Sequence, residues 1–316
     1  MSFEEIKFRT TDGTELHARV YPAAKPGPGP GVVICPGLKC VLSMMNLPAC
    51  ASALQKNDIN VLLYEPRGIG SSGGSPRSDI DPPQCVADMS DALTHLMTLP
   101  TVDPTQAGLL GFSFGGTVAL TAASVDPRCR FVVAAAPVTD LDFSSPAQRT
   151  RVLRKCAQDR ESQVMGNAAF TLPLVNARGE NAAGFGHGVN AEVYARLVKG
   201  GREIAPGHEN RITLMSYYKL AMWTPWPLWK HLGTGVGGDA SSGLRGALFI
   251  VPEDDTMSYP AMQRKYYEEL DGGPGFYKSK LEVEGVGHED LFTGQCLDRV
   301  VAGIVGFIQQ VSSSSL

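Results

Sequence analysis

Short apolar runs and amphipathic stretches alternate along much of the chain. Four mostly apolar runs have the length of strands that are buried on both faces of a parallel sheet. These runs are Val32–Cys35, Asn60–Glu65, Gly108–Phe112 and Phe131–Ala136. Helical spacing follows the first three, in Ser43–Lys56, Pro83–Leu99 and Phe114–Ser124. The alternation predicts an α/β fold with a mostly parallel, doubly wound sheet.

The two ends of the chain extend this pattern. Two strand-like stretches, Phe3–Thr10 and Thr14–Tyr21, flank the Asp12-Gly13 pair, which predicts a hairpin. Near the other end, the alternation resumes with two strands and two helices. These are predicted at Ala247–Val251, Tyr259–Leu270, Ser279–Glu284 and Gln295–Gln309.

The segment 140–246 does not fit the repeat of strands and helices. It contains helical patterns at Ala147–Arg160, Ala191–Lys199 and Glu209–Met222. We therefore predict a core formed by residues 1–139 and 247–316, with residues 140–246 inserted as a helical cap.

Composition excludes several classes of protein. The chain has 28 basic and 32 acidic residues, so its net charge of −4 gives no general attraction to nucleic acid. No apolar run reaches the roughly 18 residues that a membrane span needs. Seven scattered cysteines and an N-terminus without a leader predict reduced thiols in the cytoplasm. Cys35 and Cys40 lack a second ligand pair, so no metal site is expected.

The sequence Gly111-Phe112-Ser113-Phe114-Gly115 carries the strongest chemical signal. It is a G-x-S-x-G motif between a predicted strand and a predicted helix, the setting of a nucleophile elbow. The turn is so sharp that side chains two positions before and after Ser113 would collide with their neighbours. Ser113 is the predicted nucleophile, and an ordinary helix N-cap is the alternative.

A nucleophilic serine needs a base and a carboxylate that orients it. His288 follows the last predicted strand, so we expect it at the same sheet edge as Ser113. The acid is expected after the strand Ala247–Val251, where Asp255 is favoured over Asp254 and Glu253. The remaining histidines are expected to be structural, solvated or at the surface of the cap, where the alternative is contact with a ligand. They are His17, His95, His187, His208 and His231.

Backbone N–H groups are needed to stabilise the oxyanion. The residue after the nucleophile, Phe114, should supply one, and Leu38 in the loop after Val32–Cys35 should supply the other. Lys39 lies beside Leu38. We expect it either to face the mouth of the site and attract an anionic group or to be exposed.

These motifs together resemble the α/β-hydrolase family along the whole chain. The segment 65–72, Glu-Pro-Arg-Gly-Ile-Gly-Ser-Ser, is similar to a structural loop of that family in which the arginine bonds backbone. The hairpin, the Pro-Gly loop, the cap and the segment 287–292 resemble the α/β-hydrolases of fungal polyketide pathways, such as the fumagillin polyketide transferase, and dienelactone-hydrolase-like esterases. This resemblance implies hydrolysis or transfer of a polyketide acyl group from an ester or thioester, without a cofactor. The implied partner is a small acyl substrate, free or bound to a carrier protein.

All three tryptophans of the chain lie in the segment 222–229: Trp223, Trp226 and Trp229. They are interpreted as an aromatic wall for an apolar acyl chain, or alternatively as the cap's own core or a homodimer contact. Of Tyr217 and Tyr218, at most one is expected to face the same cavity.

Three other functions remain open at this stage. The same triad could cyclise its substrate or form a carbon–carbon bond. The fold could also serve as a non-catalytic ligand-binding module. An X-Pro peptidase is disfavoured, because no acidic pair for a peptide amino terminus is identifiable.

Overall fold

A central β-sheet organises the protein. The computed structural model describes residues 2–186, 205, 207–233, 243–273 and 275–313. Its strands are β1 (Glu4–Arg9), β2 (Glu15–Tyr21), β3 (Gly29–Cys35), β4 (Asn60–Tyr64), β5 (Val102–Phe112), β6 (Phe131–Ala135), β7 (Thr171–Leu172), β8 (Ile212–Thr213), β9 (Gly246–Pro252) and β10 (Tyr277–Val283). Within the described ranges, eight strands join in the order β1-β2-β4-β3-β5-β6-β9-β10, and β7 pairs with β8.

Strand direction follows the sequence signals. The hairpin β1–β2 and the pair β2–β4 are antiparallel, whereas every pairing from β4 to β10 is parallel. The predicted hairpin and the predicted mostly parallel sheet are therefore confirmed. Strands β4, β6 and β9 are buried along their entire length. Burial on both faces explains why their sequences are nearly continuous apolar runs.

Helices cover both faces of the sheet. The described helices are α1 (Leu47–Lys56), α2 (Pro82–Met97), α3 (Phe114–Val125), α4 (Pro146–Val164), α5 (Leu214–Ala221), α6 (Trp226–Trp229), α7 (Pro260–Glu268) and α8 (Gly294–Ser313). One face is packed by α1 and α8 and the other by α2 and α3. The apolar positions of each helix bury against the sheet, as in a doubly wound fold.

Two predicted helices differ from the structure. The helix expected from Ser43 begins at Leu47, because Met45 and Asn46 adopt positive φ angles of 55° and 53° before it. The helix expected over Glu209–Met222 is only α5, since the residues before it form β8. The predicted helix Ala191–Lys199 lies outside the described residues.

The chain leaves the core after β6 and returns at β9. The described parts of this segment hold α4, β7, β8, α5 and α6, with α5 packed on α4. Hydrogen bonds fix it to the core loop before α2. Thr213 N–H donates to Ser78 O at 3.0 Å, and Lys219 Nζ donates to Asp79 Oδ2 at 2.6 Å. The division into core and cap at residues 140 and 246 stays a prediction. None of the helices in the described ranges is long and apolar enough to cross a membrane.

Candidate active site

Ser113 occupies a sharp turn between β5 and α3. Its backbone has φ 57° and ψ −125°, a conformation that L-residues rarely adopt. Backbone hydrogen bonds hold this conformation, from Ser113 N–H to Ala135 O at 2.9 Å and from Gly116 N–H to Ser113 O at 2.8 Å. The predicted strand–turn–helix setting is confirmed.

The glycines around Ser113 are required by backbone contacts. A Cβ atom at Gly111 would lie 1.9 Å from Gly115 O. A Cβ atom at Gly115 would lie 2.4 Å from the carbonyl oxygens of both Cys35 and Pro36. The steric expectation is therefore confirmed. The second contact also brings the elbow directly against the loop that follows β3.

Replacing Gly111 by alanine is expected to lower the free energy of unfolding by about 3 kcal/mol or more, because backbone atoms must move apart. Gly306→Ala is the matched control. Nothing lies within 4 Å of a Cβ atom at Gly306 in helix α8. Alanine should raise stability there by roughly 0.5–1 kcal/mol. Urea unfolding of both variants measures the difference, and equal stabilities would contradict the steric account.

His288 and Asp255 form a buried pair. His288 lies in a short turn after β10, and its Nδ1 is 2.8 Å from Asp255 Oδ2. Asp255 Oδ1 accepts hydrogen bonds from the N–H groups of Met257 and Ser258, each at 2.8 Å. Asp254 and Glu253 are exposed. Of the three carboxylates that the sequence offered, the structure places Asp255 against the imidazole.

The contact with Asp255 fixes the tautomer of His288. A carboxylate accepts hydrogen bonds, so Nδ1 carries the hydrogen and Nε2 carries the lone pair. His288 Nε2 is buried and bonds to no described residue. Ser113 and His288 line the same cavity. Serine–histidine hydrogen bonds are often loose before a substrate arrives.

The cavity above Ser113 has a volume of about 150 Å³. Leu38 and Phe114, the residues expected to form the oxyanion hole, line it together with Gly37. Apolar side chains form most of the remaining wall: Met44, Met45, Phe112, Val138, Leu141, Leu174, Val175, Phe185, Leu220 and Met257. The other polar lining residues are Asp140, Asn181, His208, Asn210 and Tyr217. This lining suits an apolar chain that carries a few polar groups.

A tight turn shapes the loop after β3. Cys40 N–H donates to Gly37 O at 3.1 Å, and Lys39 within the turn has φ 63°. Lys39 is buried, and its Nζ donates to Ser78 Oγ at 2.7 Å. Burial lowers the pKa of Lys39 to about 8. The expectation that Lys39 is exposed is therefore wrong, and Lys39 is not among the described residues that line the cavity. Attraction of an anionic group by Lys39 stays a prediction.

The tryptophans are not among the described residues that line the cavity, so the aromatic wall stays a prediction. Trp229 is buried and its Nε1–H donates to Thr121 Oγ1 of α3 at 3.2 Å. Trp226 stacks on Tyr266 of α7 with ring centroids 5.3 Å apart. The ring of Trp223 packs against the ring of Phe114, with centroids 5.5 Å apart. The three rings therefore contact residues of α3 and α7. The homodimer contact stays a prediction.

Sequence reasoning missed several residues of the cavity wall. His208 was expected at the surface, yet it is half-buried and lines the cavity, with Nδ1 3.1 Å from Lys39 O. Burial lowers its pKa. Asn181 comes from an irregular segment with no periodic signal, and Asn210 lies outside any helix or strand although it falls in the predicted helical pattern Glu209–Met222. Of the two adjacent tyrosines only Tyr217 lines the cavity, which confirms that expectation. His187 lies outside the described residues.

The loop at residues 65–72 lies outside the cavity. Arg67 bonds the carboxylates of Asp12 and Asp88, at 2.7 and 2.6 Å, rather than backbone, so the expectation from the resemblance is wrong on this point. Glu65 accepts a hydrogen bond from Ser71 N–H at 2.7 Å and thereby shapes the loop. Its role is structural. In the part of the chain that the structure describes, no group of His, Cys, Asp and Glu is arranged to hold a metal ion.

Comparison with known proteins adds independent findings. A family model described as the alpha/beta hydrolase family matches residues 32–302. A thiohydrolase of Eupenicillium brefeldianum is 38% identical over 291 residues, which cover 92% of this chain and 89% of that protein. The polyketide transferase claH of Penicillium crustosum is 33% identical over 318 residues, covering 98% and 97%. The solved structure of DcsB with its substrate analogue superimposes with a TM-score of 0.84 at 34% identity, covering 98% and 99%.

Proposed function

The chain belongs to the α/β-hydrolase family and is an enzyme of the hydrolase or acyltransferase kind, and from this we propose that it cleaves an ester or thioester through an acyl-Ser113 intermediate. The proposed substrate is a polyketide-type acyl chain. Two similar proteins support this class by name, one a thiohydrolase and one a polyketide transferase. The apolar cavity wall supports it physically, because it can bury a hydrocarbon chain.

The first half-reaction forms the acyl-enzyme. Ser113 Oγ attacks the acyl carbonyl carbon while His288 Nε2 accepts the hydroxyl proton. Asp255 stabilises the imidazolium that results. The N–H groups of Leu38 and Phe114 donate to the oxyanion of the tetrahedral intermediate. Collapse of that intermediate breaks the bond to the leaving group, which departs as a thiol or alcohol with the proton from His288.

The second half-reaction releases the acyl group. Water or the hydroxyl of a bound acceptor attacks the acyl carbonyl, and His288 Nε2 accepts its proton. The new tetrahedral intermediate then expels Ser113 Oγ, which takes the proton back from His288. Water gives a free acid, an external alcohol gives an ester, and a hydroxyl on the chain itself gives a lactone.

One observation carries this proposal. A serine in a strained turn shares a largely apolar cavity with a histidine whose other nitrogen is 2.8 Å from a buried carboxylate. Each group matches a distinct need of acyl transfer: nucleophile, base and orienting acid. The proposed partners are a small acyl substrate or an acyl chain presented on a carrier protein.

Mass spectrometry of the intact protein tests the acyl-enzyme. Incubation with octanoyl-N-acetylcysteamine and rapid acid quenching should add one octanoyl group, which peptide analysis should locate on Ser113. Ser124→Ala is the matched control, because Ser124 lies on α3 and, among the described residues, its hydroxyl bonds only Leu120 O of its own helix. That variant should label like the parent, and Ser113→Ala should not label. Labelling of a cysteine in place of Ser113 would contradict the proposal. Product analysis with and without an added alcohol distinguishes hydrolysis from transfer.

A further inference from the structure

One buried hydroxyl group in the cavity wall donates a hydrogen bond to none of the described residues. Tyr217 lies on α5, is fully buried and lines the cavity. Its hydroxyl oxygen accepts a hydrogen bond from Asn181 Nδ2 at 3.1 Å. Among the described residues, no group accepts the hydrogen of the Tyr217 hydroxyl.

The orientation of Asn181 is fixed by its other contacts. Its Oδ1 accepts hydrogen bonds from the N–H groups of Ala183 at 2.9 Å and Phe185 at 3.1 Å. Only the NH₂ end therefore faces Tyr217, and an NH₂ group donates but does not accept. Asn181 cannot take the hydrogen of the tyrosine hydroxyl.

The surroundings of Tyr217 are apolar. The ring of Phe185 packs against it edge-on, with ring centroids 5.7 Å apart. Leu220, one turn further along α5, lines the same wall. Burial also raises the pKa of Tyr217, so that the hydroxyl keeps its hydrogen at neutral pH. A buried donor in such a place is costly unless a bound molecule supplies an acceptor.

We infer that the Tyr217 hydroxyl donates a hydrogen bond to a neutral oxygen on the acyl chain, such as that of a ketone. This oxygen is distinct from the oxygen of the carbonyl group that Ser113 attacks. The attacked carbonyl has the N–H groups of Leu38 and Phe114 as its donors. A neutral oxygen fits better than a carboxylate, because Asp140 lines the cavity and no lysine or arginine is among its described lining residues. This inference rests on the proposed function, since it concerns the substrate of the same site.

The test compares substrates that differ only in one oxygen. Octanoyl-N-acetylcysteamine is assayed beside its 3-oxo, 5-oxo and 7-oxo analogues. The parent protein is expected to have a higher kcat/KM for at least one keto analogue than for octanoyl-N-acetylcysteamine. Tyr217→Phe should reduce that ratio of keto to plain substrate about tenfold, because it removes one hydrogen bond from a buried site. Tyr218→Phe is the matched control, since Tyr218 is adjacent, packs near Arg160 and does not line the cavity. Tyr218→Phe should leave the ratio of kcat/KM for keto and plain substrates unchanged.

Binding of the same four thioesters to the Ser113→Ala protein, measured by calorimetry, reports the subsite without turnover. If the Ser113→Ala protein binds a keto analogue more tightly and Tyr217→Phe removes that preference, the subsite is supported. A parent protein that turns over none of the four thioesters would overturn only the proposed function. Absence of any keto preference in both assays overturns the subsite. An equal loss for all four substrates in Tyr217→Phe also overturns it, because Tyr217 would then serve the attacked carbonyl.

Discussion

Replacing Ser113 by alanine is expected to lower kcat for a thioester substrate by roughly 10⁴- to 10⁶-fold. Alanine keeps the Cβ atom and the backbone geometry of the elbow but removes the oxygen atom that is proposed to carry the acyl group. The oxyanion donors and the cavity remain, so substrate binding should persist. Steady-state kinetics and calorimetric binding with octanoyl-N-acetylcysteamine measure the two effects separately.

Ser124→Ala serves as the control for this experiment, because it removes a hydroxyl from the same helix at a distance from the cavity. Its kcat should stay within about twofold of the parent. Thermal unfolding should show that both variants fold. A Ser113→Ala protein that retains most of its activity would exclude the acyl-serine route and leave direct attack by water as the mechanism to examine.

Replacing Asp255 by asparagine is expected to lower kcat by about 10⁴-fold, through the tautomer of His288. The amide oxygen can continue to accept the N–H groups of Met257 and Ser258, which bond Asp255 Oδ1. The NH₂ group is then left facing His288 Nδ1. Since NH₂ can only donate, His288 would have to carry its hydrogen on Nε2. The imidazole could then no longer accept the proton of Ser113.

Asp254→Asn is the matched control for the acid. Asp254 is the neighbouring carboxylate, but it is exposed and its backbone N–H bonds Val286 O. The control should retain kcat within about twofold. Measuring kcat of both variants between pH 6 and 9 separates two effects. Loss of the base lowers kcat at every pH, whereas a shift in the titration of the base moves the pH at which kcat changes. A larger loss in Asp254→Asn than in Asp255→Asn would contradict the assignment of the acid.

The core of the fold was predictable because its signals are local. Continuous apolar runs mark β4 and β6, and the Asp12-Gly13 pair marks the hairpin. Residues 44–46 show where such reasoning fails. Their composition suits a helix, yet two left-handed backbone positions delay the start of α1 to Leu47. Composition and spacing do not encode such backbone conformations.

The grouping of Ser113, Asp255 and His288 was predictable for a similar reason, since each of them follows a strand of the parallel sheet. The cavity wall was not. Tyr217 could be assigned to a helix, but Asn181 and His208 lie in segments without periodicity, and their position depends on how the cap packs. The surroundings of the tryptophans were not predictable either, because sequence shows that an aromatic cluster exists but not which helices it contacts. In the structure the cluster packs against α3 and α7.

The close approach of Gly115 to the carbonyl groups of Cys35 and Pro36 has a consequence for protein engineering. This contact joins the turn at Ser113 to the loop after β3 through main-chain atoms, so it does not depend on the identity of side chains in the segment between β6 and β9. The part of the cavity formed by Asn181, Phe185 and Tyr217 belongs to a different stretch of chain. Mutant libraries restricted to Asn181, Phe185 and Tyr217 are therefore expected to alter the cavity wall while the backbone contact at Gly115 is preserved.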